Sequence, residues 1–209
     1  MPSANSQPAS GTSNRDAFRK SFLLHVHRLL QLGYESLAPG NFTNAEEDVI
    51  IGEICKRMEQ LTEEAPTEKW MIHFFIHDQK PLNDKLDGTT GKARVGKYRP
   101  RLDIRLLNHS RNPKPGFCVE AKRLYRSDSA AEYMDDEGVG AFVSGYYAEK
   151  DGSAGMLGYV QKDSVAEWLA RLEKKLSADA SVQKMRGGQA WQVHTFKRGP
   201  THTCKSLHK

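Results

Sequence analysis

Apolar residues along this chain recur with two periods, and the switches between them mark out the elements. From Asp16 to Leu32, Phe18, Phe22, Leu23, Val26, Leu29 and Leu30 recur at three- and four-residue spacing, which predicts an amphipathic helix ending before Gly33. Ala45 to Thr62 repeats that period through Val49, Ile50, Ile54, Met58 and Leu61, with Asn44 or Thr43 as the expected N-cap and acids in the first turn. Trp70 to His77 is a dense aromatic and apolar run too short for a typical helix, so it reads as a first core strand with His73 and His77 on one face. Pro81 to Gly96, with Asp87-Gly88 and Gly91, reads as a loop.

Two further runs change to period two. In Arg101 to Leu107, Leu102, Ile104 and Leu106 alternate with Asp103 and Arg105, and in Phe117 to Leu124, Cys118, Glu120 and Lys122 share a face. The segment Asn108 to Gly116 between them is rich in Pro and Gly and makes a turn. Ser129 to Ala148 predicts a helix made irregular by Gly138, Gly140 and Gly145. Gly155 to Val160 reads as a strand, Asp163 or Ser164 caps a helix running to Leu176, and Gln189–Phe196 with His202–His208 forms a terminal strand or hairpin. The order α-α-β-β-β-α-β-α-β gives an α/β fold with a mixed central sheet flanked by helices.

Length and composition narrow the classes. A chain of 209 residues suits one domain, assigned to 15–209 behind a disordered Ser- and Ala-rich arm over 1–14. No run approaches a membrane span, and the first residues lack a secretory layout. Three scattered cysteines exclude a disulfide framework and fit a cytoplasmic protein. The net charge of +5 favours a polyanionic partner. The charge is also concentrated: Lys92, Arg94, Lys97, Arg99 and Arg101 crowd the approach to Asp103.

If the two period-two runs are neighbouring strands, Asp103 and Glu120 meet at one edge, with Lys122 about 7 Å along from Glu120 at ~3.3 Å per residue. Two carboxylates and an amine in one patch can hold a hard divalent cation and a water ready to lose a proton. The competing reading of Glu-x-Lys on a strand is a solvated face carrying a weak cross-strand ion pair. The apolar flanks argue against it, since unpaired charge in a buried strand is expensive.

Asp103 followed by Glu120-Ala121-Lys122 after Phe-Cys-Val resembles the PD-(D/E)XK nuclease superfamily, the restriction-endonuclease-like fold, over roughly residues 45 to 159. The pattern departs at its first half, where Pro100 sits three residues before Asp103. The resemblance implies a metal-dependent nuclease that hydrolyses DNA phosphodiester bonds, with Mg²⁺ or Mn²⁺ held by Asp103, Glu120, the Ala121 carbonyl and Glu47. Lys122 completes the implied catalytic group of Asp103, Glu120 and Glu47, with Glu46 the second choice of helix glutamate. Lys97, Arg99, Arg101 and Arg123 are the expected phosphate contacts. A role in restriction or phage defence follows by analogy of fold, with specificity supplied by loops, a homodimer or a partner protein. The alternative is a nucleic-acid-binding or interaction module that keeps the fold without the chemistry.

Overall fold

A computed structural model describes residues 11–38, 42–81, 101–148, 153–180, 192–195 and 202–205 of the chain. Helices α1 (Gly11–Glu35) and α2 (Glu47–Glu59) lead into strand β1 (Phe74–Pro81), followed by β2 (Arg101–Asn108) and β3 (Gly116–Leu124). Two short helices, α3 (Ser129–Met134) and α4 (Val139–Val143), precede β4 (Ala154–Val160), and α5 (Val165–Ala178) follows it. Strands β5 (Gln192–Thr195) and β6 (His202–Lys205) pair with each other as a separate hairpin.

The main sheet has the order β1-β2-β3-β4, antiparallel in its first two pairings and parallel between β3 and β4. A parallel pair needs a crossover, and α3 and α4 supply it. The sheet is therefore mixed and flanked by helices, as the order of periods implies. Strand β3 is central and covered on both faces, and this is why its residues from Gly116 to Ala121 are all buried. On one face Phe117, Val119 and Ala121 join Ile104, Leu106, Phe74 and Ile76 under Val26, Leu29, Ile51, Ile54 and Met58 of α1 and α2. On the other, Cys118 packs with Leu102, Ala141 and Tyr147, and Leu124 packs with Ala130 and Trp168. Among the described residues no helix is long and apolar enough to cross a membrane.

Several local expectations are corrected. Helix α1 runs through Gly33, where the missing side chain admits α2: a Cβ there would lie 2.7 Å from Met58 Cγ. Its start at Gly11 makes residues 11–14 helical, and the rest of the expected arm lies outside the described residues. The N-cap of α2 is Glu46, with no side-chain cap bond, in place of Asn44 or Thr43. Val49 is exposed, and Ile51 and Cys55 take its place on the buried stripe. Trp70 to His73 forms a tight turn, so β1 begins at Phe74 and His73 does not share a strand face with His77. Pro81 closes β1 instead of opening a loop. The single helix expected over Ser129–Ala148 is two, because a turn at Asp135–Gly138 brings the chain so close that side chains at Gly138 and Gly140 would collide with the carbonyls of Tyr133 and Asp135. The α5 expectation holds: Ser164 Oγ accepts from Glu167 N and the Glu167 carboxylate accepts from Ser164 N, a capping box.

Candidate active site

The site lies where β2 and β3 separate. Their paired register runs from Leu107↔Gly116 to Ile104↔Val119 and stops there. One residue further, Asp103 would face Glu120. A strand's backbone groups at i and i+2 point to the same edge, so ending the ladder leaves the N–H groups of Ala121 and Arg123 open toward the departing strand. Buried backbone donors require partners. Asp103 Oδ2 accepts the Ala121 N–H at 2.7 Å, and Glu47 Oε2, from the first turn of α2, accepts the Arg123 N–H at 2.9 Å. Two carboxylates therefore replace the missing strand partner.

On the adjacent face of β3, Lys122 Nζ lies 3.0 Å from Glu120 Oε1 and 3.7 Å from Glu47 Oε1. Glu120 is only 5 % exposed, and its Oε2 is buried without a hydrogen-bond partner. Glu47 reaches this place because it lies three and seven residues before the buried Ile50 and Ile54, on the inward side of α2. Glu53 pairs instead with Lys56 and takes no part.

The electrostatics follow from crowding. Burial, reinforced by the Asp103 charge, pushes the Glu120 carboxyl up to about 8 against the pull of Lys122. Burial also raises Asp103, opposed by the Ala121 N–H and Lys122 and assisted by Asp48. Glu47 is raised, again chiefly by burial. Burial works against the Lys122 ammonium, but Glu120, Glu47 and Asp103 outweigh it and hold the proton more tightly than usual. Three acids around one ammonium leave an excess of negative charge that a proton or a further cation relieves.

Asp103, Glu120, Lys122 and Glu47 are thus brought together. The phosphate-contact residues are not all so placed. Arg123 is engaged internally, with Nη2 at 2.7 Å from Glu46 Oε2, Nη1 donating to the Ala45 carbonyl, and the guanidinium 4.7 Å over the Tyr125 ring. Arg101 is exposed and donates to Gln79 Oε1 at 3.4 Å. Lys97 and Arg99 lie outside the described residues.

Two further residues, Asp48 and Tyr159, bear on the site. Asp48 acts on Asp103 from the turn that carries Glu47, and the run Glu46-Glu47-Asp48 was the available signal. Tyr159 of β4 has a buried hydroxyl without a hydrogen-bond partner, raised by burial and by charges that include Asp103 and Glu47. No period or spacing marks it.

The donors are hard oxygens, which suit Mg²⁺ or Mn²⁺ better than zinc. Among the described residues no three His, Cys, Asp or Glu side chains lie close enough to hold an ion by themselves. The oxygens available at the fork are those of Asp103, the unpartnered Glu120 Oε2, and the Ala121 carbonyl, which opens to the same edge as its N–H. Comparison with protein-family models, curated proteins and solved structures gives no match.

Proposed function

We propose that this chain is a divalent-metal-dependent nuclease on a restriction-endonuclease-like core, hydrolysing phosphodiester bonds in DNA. One observation carries the reading: at the β2–β3 fork a buried carboxylate with an unpartnered oxygen, Glu120, sits beside Asp103 and within 3.0 Å of a lysine ammonium. A purely structural ion pair would not require a second and third acid beside it.

Asp103, Glu120 and the Ala121 carbonyl would hold Mg²⁺ or Mn²⁺, which when bound polarises a phosphoryl oxygen and lowers the pKa of a coordinated water. Lys122 has three N–H donors; one goes to Glu120 Oε1 at 3.0 Å while Glu47 is an ion-pair neighbour at 3.7 Å, so N–H donors remain to orient the attacking water or to meet charge growing on the phosphoryl oxygens. Glu47 is a positioning residue that holds both Lys122 and the Arg123 backbone. Arg101, on the rim, meets the substrate backbone. A cytoplasmic role in restriction or phage defence, with a partner supplying specificity, remains the proposed setting by analogy of fold alone.

Plasmid nicking with Mg²⁺, with Mn²⁺ and with chelator tests the proposal. Cutting should require the ion and fall at least ~10²-fold in Asp103→Asn, Glu120→Gln and Lys122→Met. If the three folded variants cut as well as the parent, the assignment fails. DNA binding in chelator with no cutting under either ion identifies a binding module instead.

A further inference from the structure

The sheet face that carries Glu120 and Lys122 also carries an exposed aromatic pair at its other end. Ile104 and Leu106 of β2, Phe74 and Ile76 of β1, and Val119 and Ala121 of β3 all point into the α1–α2 core. Strand alternation therefore puts Phe75, His77, Arg105, Leu107, Cys118, Glu120 and Lys122 on the opposite face. Helix α4 covers Cys118 on that face, while Phe75 is 45 % exposed and stacks on His109 with ring centroids 4.1 Å apart.

The pair is built on a stiff turn. Asn108, itself buried, accepts the Ser110 N–H and hydroxyl with its Oδ1, and His109 N donates to the His73 carbonyl. Two cations stand on the same turn. Arg111 lies 4.3 Å over the Phe18 ring of α1, on the side of the core helices, whereas Lys114 acts on the His109 ring and has no carboxylate partner among the described residues. Local desolvation and the Lys114 charge lower the His109 pKa, which favours the neutral ring and its flat aromatic surface. Exposed rings beside an unneutralised cation match the stacking faces and phosphates of unpaired nucleotides, and a duplex offers no free base faces.

We propose that Phe75, His109 and Lys114 form a docking platform for a single-stranded segment of nucleic acid. Phe75 lies about four residues along and two strands across from Glu120, roughly 16 Å, which a few nucleotides span. The inference rests on the nuclease reading and adds a substrate class to it: DNA with an unpaired tail or gap.

The test is fluorescence anisotropy with labelled dT15 and a blunt duplex, in chelator so that no cutting occurs. Phe75→Ala should bind dT15 about tenfold more weakly, with duplex binding and melting temperature unchanged, and Phe75→Trp should restore affinity. Lys114→Gln should lower the salt dependence of dT15 binding by about one counterion. Unchanged dT15 affinity in Phe75→Ala overturns the platform and leaves the nuclease reading intact if the parent nicks plasmid. A parent that binds neither probe and cuts neither form overturns both.

Discussion

Asp103 Oδ2 accepts the Ala121 amide N–H at 2.7 Å, in the place a backbone carbonyl of a continuing β2 would occupy. The same carboxylate thus has a scaffold duty and a proposed chemical one, and substitution can separate them. Asp103→Ala strands a buried donor and should cost about 1–3 kcal/mol. At 2–4 °C per kcal/mol for a chain of this size, its melting temperature should fall by roughly 2–12 °C. Asp103→Asn keeps an acceptor and should melt near the parent while losing nicking activity. Equal melting temperatures for the Ala and Asn variants would remove the scaffold duty.

Glu120 makes stability depend on pH. Its carboxyl sits at about 8 in the fold, above the ordinary 4.5, so the folded state binds this proton more tightly than the unfolded chain does. Its contribution is complete below about 4.5 and is lost as pH rises through about 8. Metal-free protein should therefore melt several degrees lower at pH 8.5 than at pH 5, and Glu120→Gln should flatten that slope. A parent profile as flat as that of the variant would contradict the burial argument.

Divalent ions should reverse this loss. At a hundredfold excess over Kd, binding to the folded state alone adds about 2.7 kcal/mol. Melting scans at pH 8 with Mg²⁺ or Mn²⁺ should shift up by roughly 5–10 °C in the parent. Glu120→Gln and Asp103→Asn should show little shift. An equal shift in all three would place the ion elsewhere.

Gly33 tests the seat of α2. Alanine in a helix interior is favoured over glycine by up to about 1 kcal/mol. Here, however, the new Cβ would lie 2.7 Å from Met58 Cγ and 3.2 Å from the Ile54 carbonyl oxygen. Overpacking of this kind costs typically 1–3 kcal/mol, so packing wins and Gly33→Ala should lower the urea midpoint. A raised midpoint would mean that α1 and α2 can slide apart freely.

Much of the candidate site was legible because its strands announce themselves. Alternation placed β2 and β3 and put Glu120 and Lys122 on one face, and the spacing of Glu47 to Ile50 and Ile54 turned that acid inward. Other features were hidden for identifiable reasons. A glycine inside a helix and a glycine ending one look alike in one dimension, and only the proximity of Met58 decides for Gly33. Arg123 reads as a free cation until Glu46 and the Ala45 carbonyl are folded against it.

By itself the amino-acid order determined the periods of the main helices and strands, the cap of α5 and the placing of Glu120 and Lys122 on one strand face, because these depend on neighbours within a few residues. Only the tertiary structure decided that β2 leaves β3 after Ile104 and that α2 sends Glu47 into the opening. Burial then crowds three carboxylates around one ammonium. Desolvation and the satisfaction of open backbone groups depend on what the rest of the chain brings near, and no local pattern carries that information.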